Sequence, residues 1–147
     1  MNENSVFYNI IVNGNMDDLK QTLTTTKVNT KDEEGMSLLA WACICGQQQK
    51  VVYLLEQGAN PNIQCKEGMT PLMYAASNDH PDIINTLLKA GANPKLGDKS
   101  GWTAETWADV YWNDKSKFVL REHRKNIAYQ NPKRIPNQPE KNRFREN

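Results

Sequence analysis

The stretch that decides the fold runs from Gly68 to Ala76 and reads GMTPLMYAA. A threonine before a proline is a strong start signal for a helix. The hydroxyl can accept a backbone N–H of the first turn, and the fixed φ of proline suits the first helical position. We therefore predict a helix that begins at Pro71 with Thr70 as its N-cap. The residues that follow are mostly apolar, so this helix is expected to be buried.

Much of this stretch recurs every 33 residues, which makes the chain a tandem array. Three columns hold a turn glycine, an N-cap hydroxyl and a small helical residue: Gly35, Gly68 and Gly101; Ser37, Thr70 and Thr103; Ala42, Ala75 and Ala108. A second block, GANP, occurs at residues 58–61 and again at 91–94. Before each block, apolar residues at i, i+3 and i+4 predict a second helix with a buried stripe: Val51, Leu54 and Leu55; Ile84, Leu87 and Leu88. Gly58 and Gly91 are predicted to end these helices with positive φ.

These residues resemble the ankyrin repeat, which has a period of about 33 residues and a T-P-L-H-x-A core. The resemblance implies an all-α solenoid of helix-turn-helix units joined by β-hairpin loops, with capping end units. The compact four-unit plan is similar to that of myotrophin-like proteins. Residues 1–124 are the predicted repeat domain, divided into a short first unit at about 4–31, two clear units at 32–64 and 65–97, and a last unit at 98–124. The second helix of the last unit is predicted at roughly Lys115 to Arg124.

Two departures from the family pattern carry expectations of their own. The family histidine that follows the leucine is replaced in all three units, by Ala40, Met73 and Thr106. The hydrogen bond that would tighten each loop onto its N-cap is therefore expected to be missing. Glu105 stands where the last unit should have leucine, which favours an array that ends there.

The sequence offers little that could perform catalysis. Only two histidines are present, and no cysteine lies near either with zinc-finger spacing. No phosphate-binding glycine loop and no convincing triad is found, so we expect no enzyme activity, no metal site and no cofactor. Three cysteines, an odd number, argue against a disulfide framework. Cys43 is expected to be a buried thiol, Cys65 an exposed hairpin residue, and His80 a structural turn residue.

The charge is unevenly distributed along the chain. Residues 1–120 hold 10 basic and 14 acidic residues, whereas residues 121–147 hold 8 basic and 3 acidic ones. Residues 125–147 form a predicted basic polar tail, mobile when free. This tail could be a solubilising extension, a strand folded back on the acidic repeats, or a binding element for nucleic acid or an acidic protein.

The resemblance places a partner-binding surface on the hairpin tips and the inner side of the first helices, which we call the groove face. The residues after the turn glycines are expected to face outward as an apolar ladder: Met36, Met69 and Trp102. Beside it lies an aromatic column for which burial between repeats is the favoured interpretation: Trp41, Tyr74 and Trp107. The helix ends and the hairpin charges complete the predicted set: Ile44, Cys45, Asn78, Tyr111, Glu34, Lys66, Glu67 and Lys99.

The leading hypothesis is an intracellular interaction module, cytoplasmic or nuclear and monomeric when free, that binds a protein as an adaptor or stoichiometric inhibitor. One alternative is a reader of methyl-lysine peptides, since four tryptophans lie beside acidic residues. Another is nucleic-acid binding through Arg121 to Arg145, which would depend steeply on salt. No segment is apolar over the roughly 18 residues that a membrane span needs.

Overall fold

The computed structural model describes residues 5–130, and this part of the chain is all-α, as predicted. Pairs of helices follow one another along the chain, each first helix being short. The helices are α1 (Val6–Val12), α2 (Met16–Thr25), α3 (Leu38–Ile44), α4 (Gln48–Glu56), α5 (Pro71–Ser77), α6 (Pro81–Lys89), α7 (Ala104–Val110) and α8 (Asp114–Gln130). The first residues of the predicted first unit and the tail from residue 131 onward lie outside the described residues. The unit boundaries themselves stay predictions.

The predicted helix starts are confirmed. The hydroxyl of the N-cap accepts the backbone N–H three residues later in each unit, at 3.1 Å for Ser37, 3.3 Å for Thr70 and 3.4 Å for Thr103. Pro71 occupies the first turn of α5. At the other end of the helix pairs, Gly58 and Gly91 have φ of 88° and 94°. These helices therefore begin and end where local chemistry places them.

The loss of the family histidine is partly compensated, contrary to expectation. The Thr70 N–H donates to the sulfur of Met73 at 3.4 Å, and the hydroxyls of Thr103 and Thr106 lie 3.2 Å apart. A long or polar side chain at the histidine position can thus still reach back to the N-cap.

The helices form two layers. The first helices α1, α3, α5 and α7 pack in sequence, and the second helices α4, α6 and α8 pack behind them. Ala42, Ala75 and Ala108 are completely buried between first helices, so the predicted role of a small residue is confirmed. The stripe of the second helices is buried as well, apart from Leu55, which is half-buried. Each unit thus buries its apolar residues against its neighbours.

The β-hairpins implied by the resemblance are reduced to tight turns in residues 5–130. Each tip is closed by one backbone hydrogen bond across its base, from Asp32 to Met36, from Cys65 to Met69 and from Asp98 to Trp102, at 2.8–3.0 Å. An isolated antiparallel bridge between Lys31 and Ser37 is the nearest approach to a strand pair. Since each tip pairs only once, no ladder can extend from it.

Asparagine side chains join the loops of adjacent units. The Asn60 N–H donates to Asn29 Oδ1 at 2.8 Å, and the Asn93 N–H donates to Asn62 Oδ1 at 2.7 Å, one period further along. Because both partners of this bond recur every 33 residues, the side chains of Asn29 and Asn62 hold the units in register by accepting the backbone N–H of the asparagine in the next GANP block.

The face of the last unit on which a further unit would stack carries charge instead of apolar side chains. In the third unit the corresponding face is formed by Leu72, Ala76, Ile84 and Leu88, all buried. Residues 33 positions later are Glu105, Asp109, Lys117 and Arg121, which pair with one another. Lys117 lies 2.6 Å from Asp109, and Arg121 lies 3.0 Å from Glu105. A polar outer face of this kind ends a solenoid, so Glu105 belongs to the cap.

Helix α8 is longer than predicted, because it continues from Arg124 to Gln130. No glycine or proline interrupts residues 125–130, so nothing in the sequence stops the helix there. The first breaker is Pro132, which disfavours helical backbone at the residue before it. The first six residues assigned to the mobile tail are therefore helical.

A buried lysine, not anticipated from the sequence, ties the first unit to the second. Lys50 lies on α4 and points its ammonium at the end of α1, where Nζ donates to the carbonyl oxygens of Ile11 and Gly14, at 2.7 Å for Gly14. Burial lowers the pKa of Lys50, and the nearby Asp18 partly opposes that shift. The last carbonyls of a helix have no partner within it, so a cation satisfies them well.

Candidate functional site

An aspartate organises the groove face in two of the units. Asp32 Oδ1 accepts the N–H of Glu34 at 3.0 Å and of Met36 at 2.9 Å, and Oδ2 accepts the indole Nε1–H of Trp41 at 2.8 Å. Asp98 repeats the arrangement with Ser100, Trp102 and the indole of Trp107, which lies 3.0 Å away. Each aspartate therefore fixes a hairpin tip to the aromatic side chain of the helix that follows.

The electrostatics of Asp32 follow from these donors. Burial alone would raise the pKa of this carboxyl, but hydrogen bonds from the Ser5 hydroxyl, the Trp41 indole and the backbone of Met36 and Glu34 outweigh it and lower the pKa. Each donor stabilises the carboxylate form. The tip between the first two units is consequently held by a charged group.

At the N-terminal end of the groove face the predicted ladder and aromatic column are buried. Met36 is only 5% exposed, and the Tyr74 hydroxyl donates to its sulfur at 3.2 Å. Trp41 is covered by Tyr8, whose ring centroid lies 5.3 Å away in a T-shaped contact. Burial raises the pKa of the Tyr74 phenol above its usual range. The expectation that Met36 faces outward is wrong, and Trp41 and Tyr74 have the structural role that was favoured for them.

At the C-terminal end the same positions are open. Trp102 is 39% exposed and Tyr111 is 55% exposed, whereas Trp107 is half-buried between them. The centroids of Trp102 and Trp107 lie 5.1 Å apart in an edge contact, and those of Trp107 and Tyr111 lie 6.0 Å apart in a stacked one. These three rings form a continuous row, which we call the aromatic surface.

The predicted residues between the two ends are intermediate in character. Met69 lies half-buried between Met36 and Trp102 in the ladder, and Ile44 and Cys45 are half-buried at the end of α3. Asn78 is exposed at the end of α5, where its amide donates to the carbonyl of Tyr74 at 2.8 Å. The accessible apolar area thus increases from the second unit to the fourth.

The predicted hairpin charges surround an open groove of about 430 Å³ at the tips. Its charged lining consists of Lys31, Glu33, Glu34, Lys66, Glu67 and Lys99. Lys31 was not in the predicted set, and its Nζ donates to the carbonyl of Gln64 at 2.6 Å. The N-terminal end of this rim is therefore mixed in sign.

The cysteines and His80 have the surroundings of structural residues. Cys43 is completely buried, as predicted, and burial raises the pKa of its thiol. Cys65 is also buried, with its thiol 3.7 Å from the Ser37 hydroxyl, so the expectation of an exposed residue is wrong. The hairpin base encloses this position, because the N–H of Cys65 bonds to Met69 across it. The His80 ring lies 3.1 Å from the carbonyl of Ile44 at the end of α3 in the preceding unit, so His80 has a structural role, as predicted.

One exposed aromatic residue was missed in the sequence. Trp112 is 84% exposed and has φ of 58°, a left-handed conformation that is strained for a bulky residue. It occupies the same column as Gly46 and Asp79, which are also left-handed. The sequence contained a signal for this residue, because a tryptophan stands in a column that otherwise holds glycine and aspartate.

Residues 5–130 contain no cluster of three or more histidine, cysteine, aspartate or glutamate side chains arranged to hold a metal ion. In the same part of the chain, no helix combines the length and the apolar character needed to cross a membrane.

The aromatic surface has the geometry of a platform. A cage for methylammonium needs rings that face a common space, with the cation within about 6 Å of each centroid. Here Trp107 and Tyr111 are stacked with an interplanar angle of 14°, and Trp102 packs its ring against Trp107. The rings fill the space between themselves, so they offer their outer faces and edges to a ligand.

Comparison with known proteins identifies the array. A family model described as ankyrin repeats, in three copies, matches residues 7–98, which is more than half of the chain. The match stops at the start of the last unit, where the charged outer face replaces the repeat pattern. No curated protein matches the chain.

Proposed function

Because the chain belongs to the ankyrin-repeat family, whose repeats are protein-protein interaction modules, we propose that it binds a protein partner through the C-terminal end of its groove face. The partner is bound as a single ligand, and the module acts as an adaptor or a stoichiometric inhibitor. The single observation that carries the proposal is the row of exposed rings formed by Trp102, Trp107 and Tyr111.

The chemistry of these residues supports such a role. Tryptophan and tyrosine are enriched among residues that dominate binding energy at protein interfaces, because they bury a large area at a small cost in conformational entropy. Trp107 is held in place by the carboxylate of Asp98, so the row is ordered before a ligand arrives. A preorganised surface binds more tightly than one that must be ordered on binding.

The neighbouring residues extend this surface toward the second unit. Met69, Ile44 and Cys45 offer partly exposed apolar area, and methionine adapts well to irregular partners. The exposed charges Lys66, Glu67 and Lys99 at the rim contribute to the rate and specificity of association more than to affinity. Met36, Trp41 and Tyr74 are buried at the N-terminal end of the groove face and offer little area to a partner.

We further propose that the protein has no catalytic activity or cofactor, acts inside the cell and is monomeric when free. The three cysteines are free thiols, which suits a reducing compartment. The ion pairs of Glu105, Asp109, Lys117 and Arg121 cover the end of the array, which disfavours end-to-end stacking of two copies.

No observation favours either alternative function, the methyl-lysine reader or the nucleic-acid-binding protein. The stacked rings do not favour a methyl-lysine cage. The cations of α8 that were considered for nucleic acid are engaged by carboxylates, Arg121 and Arg124 by Glu105 and Lys125 by Glu122. The rest of that basic stretch lies outside the described residues.

The test is affinity capture from a cell extract with three baits. The first is the wild-type chain, the second carries Trp102→Ala with Tyr111→Ala, and the third carries Phe118→Ala. Phe118 is a matched control, because it is an aromatic residue 65% exposed on α8, away from the groove face. We expect a protein that is retained by the first and third baits and lost by the second.

Circular dichroism shows whether each bait is folded. The captured protein is then titrated in purified form, where the proposal requires one partner per chain and a loss of at least tenfold in affinity for the double variant. A partner bound equally by all three folded baits would place the interaction elsewhere.

A further inference from the structure

The basic tail contains a proline motif to which the proposed function gives no role. Residues 132–139 read PKRIPNQP, with Pro136 and Pro139 in the P-x-x-P arrangement and two basic residues just before them. Segments of this kind bind as polyproline II helices to grooves lined by aromatic residues, at low entropic cost because the conformation is preformed. We call residues 132–139 the proline segment.

The aromatic surface has the chemistry and the size that such a segment needs. Trp102 and Tyr111 are the exposed ends of the row, and Trp107 joins them, with centroids spaced at 5.1 and 6.0 Å. Three residues of polyproline II advance by about 9 Å, which is close to the length of the row. Pro136 and Pro139 can therefore rest against different rings at the same time.

The last described helix ends on the side of the molecule that carries Trp102. Helix α8 runs antiparallel to α7, because Lys117 pairs with Asp109 near the end of α7 and Arg124 pairs with Glu105 near its start, at 2.6 and 3.1 Å. The chain therefore leaves α8 on the side where α7 begins, which is the side of Trp102. Six extended residues from 131 to 136 span up to about 20 Å, whereas packed neighbouring helices lie roughly 8–10 Å apart.

Charge favours the same contact. Residues 131–147 hold five basic and two acidic residues, whereas residues 1–120 have an excess of four acidic ones. The rim of the groove itself is mixed in sign, since Glu67 is exposed there together with Lys66 and Lys99, so the attraction comes from the repeat domain as a whole. Opposite charges on a tethered segment and its target raise the fraction of time that the two spend in contact.

We propose that the proline segment docks on the aromatic surface of its own chain and covers Trp102 and Trp107 in the free protein. A partner must then displace the segment before it binds. The docking does not depend on the existence of a partner; only its regulatory consequence rests on the proposed function.

The test uses the indole N–H signals of the four tryptophans in the full chain, observed by nuclear magnetic resonance and assigned by single tryptophan-to-phenylalanine substitutions. Wild type is compared with Pro136→Ala, Pro139→Ala. A matched control, Asn137→Ala with Gln138→Ala, changes the same stretch and keeps the prolines. Trp41 is an internal reference for the fold, because its indole is buried and bonded to Asp32.

We expect the proline variant to shift the indole signals of Trp102 and Trp107 relative to wild type. The Trp41 signal and all signals of the control variant should stay at their wild-type positions. The shifts of Trp102 and Trp107 should persist on tenfold dilution. Unshifted Trp102 and Trp107 signals would overturn the proposal. Shifts that disappear on dilution would overturn it too, since they would assign the contact to a second copy.

The functional consequence is measured with the captured partner. If the segment occupies the surface for most of the time, the proline variant binds the partner severalfold more tightly than wild type. Unchanged affinity together with shifted indole signals would remove the regulatory role. Loss of capture with the Trp102 and Tyr111 variant alone tests the proposed function, so the two failures are distinguishable.

Discussion

The second and fourth units contain the same constellation in different surroundings. In both, an aspartate at the hairpin tip accepts the indole N–H of a tryptophan on the first helix, Asp32 from Trp41 and Asp98 from Trp107. Trp41 is 4% exposed, whereas Trp107 is half-buried and continues into exposed rings on both sides. The difference comes from the neighbours, because Tyr8 covers Trp41, whereas the rings that contact Trp107 are themselves exposed.

The same position in a repeat can therefore be part of the buried core in one unit and part of an exposed binding surface in the last unit. A ladder residue is covered by the aromatic residue of the following unit, as Met36 is covered by Tyr74. Within residues 5–130, no unit follows the one that contains Trp102. The experiments below separate the two roles, beginning with the change of largest effect.

Replacement of Trp41 and of Trp107 should lower the stability of the protein by different amounts. Trp41→Ala is expected to lower the free energy of unfolding by about 3–5 kcal/mol, and Trp107→Ala by roughly half as much, because a buried aromatic leaves a larger cavity than a half-buried one. Urea unfolding followed by circular dichroism measures both. Trp41→Phe is the milder second variant if Trp41→Ala does not fold. Equal losses at the two sites would contradict the distinction between a closed and an open end.

Removal of the buried lysine, Lys50, should loosen α1 and expose Trp41 at the N-terminal end of the groove face. Lys50→Met leaves carbonyls at the end of α1 without a donor, which is expected to cost about 2 kcal/mol. Hydrogen exchange should accelerate in α1 and leave α5 and α6 unchanged. Since α1 carries Tyr8, acrylamide should then quench Trp41 more strongly. Lys20→Met, at an exposed lysine, is the control. Unchanged exchange in α1 would show that the lysine is not what holds the first unit.

The left-handed column between the helices should respond with opposite signs at the two ends. A Cβ at Gly46 would lie 2.7 Å from the His80 ring at a φ of 68°, so Gly46→Ala should destabilise by about 1–2 kcal/mol. Trp112→Gly removes a bulky side chain from left-handed backbone and should stabilise by about 1 kcal/mol. Thermal unfolding of both variants is the measurement. A destabilising Trp112→Gly would mean that Trp112 makes compensating contacts.

The smallest expected effect is a change in how the stability of the protein depends on acidic pH. The pKa of Asp32 lies below its ordinary value of 3.8 in the folded protein, so protons bind the unfolded state first. Its contribution to stability is present above that ordinary value and is lost as the pH falls through the folded pKa. The Asp32→Asn variant should be less stable than wild type near neutral pH, and it should lose less stability than wild type between about pH 4 and pH 2. Melting temperatures across that range test this, and parallel curves for the two proteins would refute it.

Much of the fold could be predicted because its determinants are local. Thr70 with Pro71 starts a helix, Gly91 ends one, and the 33-residue period places the units. The end of α8 was placed too early, at Arg124, although the first helix breaker in the sequence is Pro132. The candidate site was predicted less well. Trp102 and Tyr111 are exposed, but Met36 is buried, and Trp112 was missed.

The sequence by itself determined the repeat, the caps and which columns hold apolar side chains, because a helix start or a period depends on neighbours along the chain. Only the tertiary structure decided which members of a column reach solvent. That depends on what the adjacent unit presents: a tyrosine covers Met36, whereas no further unit lies beyond Trp102 in the part of the chain that the structure describes. Exposure is a property of packed surfaces in three dimensions, and the same aspartate–indole bond at Asp32 and Asp98 is therefore found at a buried end of the groove face and at an exposed one.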